Sequence, residues 1–118
     1  MTAAHLDSFL DLCRAAVGAN NVLTDAADKA PYLTDWRGRY TGDALAVLRP
    51  GSTEEVAAVM QACQVHKLAV VPQGGNTGLC GGATPPAGNV AARGAVVLSL
   101  QRMNRIRQVD PLNNTITV

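Results

Sequence analysis

The residues with the clearest capacity for chemistry lie in one stretch, Pro72-Gln73-Gly74-Gly75-Asn76-Thr77-Gly78-Leu79-Cys80-Gly81-Gly82. Five glycines occupy the nine positions from 74 to 82, interleaved with small polar side chains. Glycine reaches positive φ and carries no Cβ, so successive backbone N–H groups can converge on one anion. A phosphate or pyrophosphate is the natural guest. The apolar run Leu68 to Val71 stops at Pro72, so the loop leaves the end of a strand and can be positioned by a scaffold.

Two phosphate fingerprints are tested against this stretch and fail. A dinucleotide loop needs glycines at i, i+2 and i+5, and no glycine here opens that spacing. A Walker loop ends in Gly-Lys-Ser/Thr, and the only lysines are Lys29 and Lys67. Composition alone also permits a surface loop without a ligand. A second candidate, Cys63 with His66, has helical spacing but lacks the three or four ligands that a zinc site requires, so no metal site is expected.

The elements that must hold the loop can be read from periodicity. Leu6, Phe9, Leu10, Cys13 and Val17 recur at helical spacing and predict an amphipathic helix from Thr2 to Val17. Val22 to Thr24 is a short extended piece, and Asp25 can cap a brief helical turn that Pro31 breaks. Ala44 to Leu48 reads as a buried strand. Ser52 or Thr53 then caps a helix whose buried face takes Val56, Val59, Met60, Cys63 and the stem of Lys67. Leu68 to Val71 completes strand, helix, strand, and the two strands are expected to pair in parallel. Ligands bind at the carboxyl ends of such strands, where this loop departs. After a connection from Thr84 to Asn89 come strands at Ala95 to Leu100, Ile106 to Val109 and Thr115 to Val118, the last two joined by a turn at Asp110 to Asn114.

At 118 residues the chain suits one small domain. Ten basic residues nearly balance nine acidic ones, and no basic patch interleaved with aromatics points to nucleic acid. No secretory signal and no stretch of about 18 apolar residues is present, so a cytoplasmic location without a transmembrane segment is expected. Three unpatterned cysteines, Cys13, Cys63 and Cys80, suggest reduced thiols. The segment Tyr32 to Gly42 gathers the only tryptophan, both tyrosines and two arginines; it suits a ligand pocket or a surface loop pinned by its aromatics. The final strand is cut off in mid-pattern, and the chain looks truncated.

Three segments together carry a resemblance: Arg49-Pro50-Gly51-Ser52-Thr53-Glu54-Glu55-Val56, then Val70 to Gly82, then Leu98 to Ile106. They resemble the opening of the FAD-binding domain of the vanillyl-alcohol oxidase and p-cresol methylhydroxylase superfamily. Within it the similarity points to the flavin-dependent D-2-hydroxyacid dehydrogenases of the D-lactate, D-2-hydroxyglutarate and glycolate type, for which Pro72-Gln73-Gly74-Gly75-Asn76-Thr77 is specific. The resemblance implies an α+β fold with an α/β-like βαβ unit, the first subdomain of such an FAD-binding fold. Residues 1–30 would form a helical segment, and 31–118 the N-terminal part of the FAD-binding domain.

By position, the resemblance makes Pro72, Gln73, Gly74, Gly75, Asn76, Thr77, Gly78 and Leu79 contacts to the FAD pyrophosphate and flavin, extended by Gly81 and Gly82. Asn76 and Thr77 would offer donors to phosphate or flavin oxygens. Relatives that attach FAD covalently through this loop carry histidine where Asn76 stands, so non-covalent FAD is implied. Cys80 is read as a small buried hydrophobe instead of an attachment point. Implied partners are a 2-hydroxy acid and an electron acceptor, with a homodimer as a further expectation. The family's catalytic and metal-binding residues lie downstream, so none is assigned here. Two other readings remain: a standalone, non-enzymatic nucleotide- or phosphate-binding module, and a structural α/β domain whose loop serves an interaction.

Overall fold

The computed structural model describes residues 2–88 and 94–118. Asn89, where the expected connection from Thr84 ends, lies outside them. Helix α1 (Ala3–Val17) begins where Thr2 Oγ1 accepts the His5 N–H at 3.4 Å, and it buries Phe9, Leu10, Cys13 and Val17. Gly18 ends it at φ +86°, leading through a 3₁₀ turn (Ala19–Asn21) into β1 (Val22–Leu23). The short α2 (Ala26–Lys29) has Asp25 at its N-cap position, but no side-chain capping bond forms there. The α-helix stops at Lys29, before Pro31, as expected, but the chain keeps a helical course. The fixed φ of Pro31 suits the first turn of a 3₁₀ helix (Ala30–Tyr32) that continues α2.

Strand β2 (Ala46–Leu48) is wholly buried, and α3 (Thr53–Val65) follows. Ser52 Oγ accepts the Glu55 N–H at 3.2 Å, and Glu55 Oε2 reaches back to the Gly51 N–H at 2.6 Å, a variant of the capping box. The buried face of α3 differs from the periodicity reading. Val59, Ala62 and Cys63 are buried with Val56 packed beside them, whereas Met60 is 44% exposed and Lys67 is exposed. Lys67 is no longer on the helix: it sits at φ +55°, with its N–H on the Gln64 carbonyl and the Leu68 N–H on the Cys63 carbonyl. That paired bonding turns the chain sharply from helix to strand, a job glycine usually performs.

Strand β3 (Ala69–Gln73) runs two residues past the expected end, and Pro72 lies within it. Its missing N–H is tolerated because β3 is the sheet's edge. Strand β4 (Ala95–Ser99) is buried at every position. The sheet order is β1-β2-β4-β3, with β1 antiparallel and the rest parallel. The parallel pairing expected between β2 and β3 is therefore not direct. They run in the same sense, but β4 lies between them and pairs with both, Val96 facing Ala46 on one side and Val70 on the other. Continuous apolar sequence marks a two-faced strand, and only a central place buries both faces.

Helices α1 and α3 pack on one face of this sheet around Phe9, Val59, Leu48, Val96 and Leu98. Residues 1–30 thus share one core with the segment that follows. The other face carries Ala44, Val47 and Val97, covered by Leu23, Tyr32 and Leu33. Buried Cys13 and Cys63 face each other's helices as free thiols. Burial pushes the Cys13 thiol up to about 12, with Cys63 nearby adding to it, and burial pushes Cys63 to about 11. A hairpin of β5 (Gln108–Asp110) and β6 (Thr115–Thr117) stands apart from the main sheet, its start two residues later than expected. Its turn is held by the Asp110 carboxylate, which accepts the Leu112 and Asn113 N–H groups.

A second, smaller hairpin spans Thr34 to Thr41 and is locked by Asp35. The Asp35 carboxylate accepts the Tyr40 N–H at 2.8 Å and the Arg37 N–H at 3.4 Å, while the Asp35 N–H reaches the Tyr40 carbonyl. Buried Asp35 and half-buried Tyr32 pin this segment; of the other aromatics, Trp36 is 72% exposed and Tyr40, whose ring lies against Gly81, is 49% exposed.

Two outcomes follow. Phe9→Ala, which empties a fully buried site between α1 and the sheet, destabilises the chain by about 3–5 kcal/mol, read as a lowered midpoint in urea unfolding. The Tyr40 N–H, chiefly, holds the Asp35 carboxyl below its ordinary value. The stability it contributes is complete above the unfolded value near ~4 and is lost as pH falls through the lower folded value. Asp35→Asn should therefore be less stable than wild type at pH 7, with the gap closing as acid is added; parallel acid-unfolding curves followed by circular dichroism check this.

Candidate functional site

Because β2, β4 and β3 run in parallel, their carboxyl ends open on one edge. From β2 comes Arg49, from β4 Gln101, and from β3 the glycine loop. A cleft of about 690 Å³ opens at this edge, lined by Arg49, Gln73, Gly75, Asn76 and Gln101 from the strand ends, and by Tyr32, Thr34, Asp35 and Trp36 from the small hairpin and its stem. The sequence reading foresaw the strand end and the loop. It offered the hairpin segment as a ligand pocket or a surface loop without naming a site residue there, and it gave no site role to Arg49 or Gln101, although each stands just past a strand, at the positions where ligands collect in α/β sheets.

The ten predicted site residues are not alike in this setting. Pro72 and Gln73 are the last residues of β3, Pro72 exposed and Gln73 only 2% exposed. The Gln73 amide is engaged inward: Nε2 donates to the Tyr32 carbonyl at 3.0 Å and to the Ala83 carbonyl at 2.9 Å. Asn76 sits at φ +54°, a conformation that asparagine tolerates better than most residues, and its Nδ2 donates to the Thr34 carbonyl at 2.8 Å. Thr77 and Gly78 are exposed, and Leu79 is 47% exposed. Cys80 is exposed, which corrects its reading as a buried hydrophobe. Gly78 on one side and Gly81 and Gly82 on the other flank the Leu79-Cys80 pair, and both of its side chains are exposed.

The glycines divide into two groups by what a side chain would meet. Gly81 has φ +76°, and a Cβ there would come within 2.8 Å of the Tyr40 ring. Gly81 is required by the protein's own packing. At Gly74, Gly78 and Gly82 a Cβ would meet nothing within 4 Å, and at Gly75 only Thr77 Cγ2 at 3.9 Å. None of these four has positive φ. Neither backbone conformation nor internal packing asks for glycine at these positions. Among the described residues, the backbone N–H groups from Gly74 to Gly82 also find no protein acceptor. A surface with unfilled donors and few Cβ atoms is complementary to a closely approaching anion.

That donor set fits the diphosphate of FAD, which carries acceptors only. No group of three or more histidine, cysteine or acidic residues that could hold a metal occurs among the described residues. No helix among them is long and apolar enough to cross a membrane.

Comparison with known proteins agrees with this geometry. The family described as FAD binding domain matches residues 44–118. D-2-hydroxyglutarate dehydrogenase of Xanthomonas citri pv. viticola is 45% identical over 103 residues, covering 87% of this chain and 21% of that protein. The mitochondrial D-2-hydroxyglutarate dehydrogenase of Arabidopsis thaliana is 35% identical over 100 residues, covering 85% of this chain and 17% of its own length. Among solved structures, p-cresol methylhydroxylase with substrate bound superposes with a TM-score of 0.73 at 28% identity, over 94% of this chain and 21% of that one. The chain thus spans about a fifth of the length of the relatives it matches. It belongs to the FAD-binding-domain family of the vanillyl-alcohol oxidase and p-cresol methylhydroxylase superfamily, whose cofactor is FAD.

Proposed function

We propose that this chain is the diphosphate-holding part of a flavin-dependent dehydrogenase that oxidises a D-2-hydroxy acid to the 2-oxo acid. One observation carries the reading: Gly74, Gly75, Gly78 and Gly82 lack side chains that the protein's own fold would accommodate. Residues 31–118 form the N-terminal part of the FAD-binding domain, with residues 1–30 as the helical segment joined to its core. Pro72, Gln73, Gly74, Gly75, Asn76, Thr77, Gly78, Leu79, Gly81 and Gly82 make up the cofactor loop.

Within that loop the roles differ. The N–H groups of the four open glycines and of Thr77 meet the diphosphate. Gln73, Asn76 and Gly81 hold the backbone that presents them. The amide of Asn76 is no nucleophile, so FAD is held without a covalent bond. Hydride acceptance is the chemistry that FAD supplies when bound, and the protein supplies placement. The D-2-hydroxy acid substrate is supported by the names of the relatives, and an electron acceptor follows from the need to reoxidise the flavin. The cytoplasmic location and the homodimer expected from the sequence stay part of this proposal, beside a relative named as mitochondrial. The standalone non-enzymatic module is not favoured, since the family match covers the loop and all that follows it.

Titration of the isotope-labelled chain with FAD tests the loop. Amide shifts are expected to move chiefly from Gly74 to Gly82, and Gly75→Val should weaken binding at least about tenfold while leaving the unfolding midpoint unchanged, because the valine fills open space instead of core. Equal binding by the valine variant would remove the loop from the site. For the substrate, the product of the full genomic reading frame is assayed on D-lactate, D-2-hydroxyglutarate and glycolate with a dye acceptor. Dye reduction with none of the three would overturn the hydroxy-acid reading.

A further inference from the structure

The segment Tyr32 to Thr41 is singled out by composition, and the flavin reading leaves it without a role. It meets the glycine loop at three separate places. At the loop's start, Gln73 Nε2 donates at once to the Tyr32 carbonyl and to the Ala83 carbonyl, so one buried amide joins the hairpin stem to both ends of the loop. In the middle, Asn76 Nδ2 donates to the Thr34 carbonyl, 42 residues away in sequence. Near the far end, the Tyr40 ring occupies the space beside Gly81 that any Cβ would need.

The two partners differ in stiffness. The hairpin is cross-braced: Thr34 and Thr41 form a bridge with their hydroxyl oxygens 3.1 Å apart, and the Asp35 carboxylate closes the turn. The loop has little bonding of its own. Among the described residues its main-chain N–H groups from Gly74 to Gly82 make no internal bonds, and the Gly81 carbonyl accepts only the Thr84 N–H. A glycine-rich loop in that condition samples many shapes, and ordering it on binding weakens affinity.

We propose that the Thr34–Thr41 hairpin is a latch that fixes the shape of the glycine loop before its guest arrives, with Asn76 and Tyr40 as the positioning residues on the loop and hairpin sides. The inference rests on the flavin reading only for the identity of the guest. It departs from the role that the resemblance implied for Asn76: the side chain holds the hairpin's carbonyl, and the loop's main-chain N–H groups are left to meet the diphosphate.

The test uses the isotope-labelled chain without ligand, then with FAD. In wild type the order parameters of Gly74, Gly75 and Gly78 should lie near those of rigid backbone, about 0.85, and in Asn76→Asp and Tyr40→Ala they should fall below about 0.6. Asn76→Asp keeps the shape and the tolerance of positive φ but removes the donor. Amides of β4 and the Tm should stay at wild-type values, which separates release of a latch from loss of fold. Tyr40→Phe, which keeps the ring beside Gly81, should behave as wild type. With FAD, Tyr40→Ala should raise Kd about tenfold and Tyr40→Phe should not. Unchanged loop order parameters in Asn76→Asp and Tyr40→Ala, or a parallel fall in β4, overturn the latch. Absence of any FAD-induced change in the wild-type product of the full genomic reading frame overturns the flavin reading instead, and the ligand-free order parameters then decide the latch by themselves.

Discussion

The structure depends on one constraint: β4 has no face left for solvent. Ala95, Val96, Val97, Leu98 and Ser99 are all buried, so the strand must take a central place with helices on one side and the cover of Leu23, Tyr32 and Leu33 on the other. Occupying that place forces β2 and β3 apart by two strand spacings, about 10 Å. Arg49 and Gln73 then stand on opposite banks with Gln101 between them. The cleft is the gap this separation leaves at the carboxyl edge. Direct pairing of β2 with β3 would close it.

A constraint of the opposite kind governs the loop. Most positions in a folded chain are explained by what surrounds them, and Gly81 is such a position, as is Gly42, where a Cβ would run into the Pro85 carbonyl. Gly74, Gly75, Gly78 and Gly82 have no such neighbours. Glycine there adds conformational freedom that folding must overcome, with no return in packing. A residue that costs stability and fills no internal need points to something outside the chain, and unfilled N–H donors suit the anion proposed for it.

Much of this was legible in the sequence because the governing signals are local. The strand-to-glycine switch at Pro72, the helical spacing of Phe9, Cys13 and Val17, and the continuous apolar run of β4 each reflect one element meeting one environment. What escaped depends on pairs of distant residues. The place of β4 between β2 and β3 is a matter of sheet order, which periodicity does not encode. Asn76 presents an amide that suits a phosphate oxygen as well as a carbonyl, and only the fold puts Thr34 within reach. Met60 carried the right period but faced past the edge of the core, and Lys67 hid a turn because lysine gives no sign of positive φ.

The charge of the cleft follows from the same separation of roles. Arg49 is its cation, while Asp28 and Asp35 contribute two carboxylates to the lining. Free acids in the lining would oppose the proposed diphosphate. Asp35 is not free: its oxygens accept the Tyr40 and Arg37 N–H groups, and those dipoles offset its charge from within the hairpin. Asp28 has no such partners among the described residues, so attraction for the proposed diphosphate falls to Arg49, which also donates to the Asn20 carbonyl, and to main-chain donors that carry no formal charge. A site built mainly from peptide dipoles depends on their being aimed in advance, since a dipole turned away contributes nothing. Orientation of the loop is therefore worth more here than in a site with several lysines, where a flexible point charge finds its partner without help.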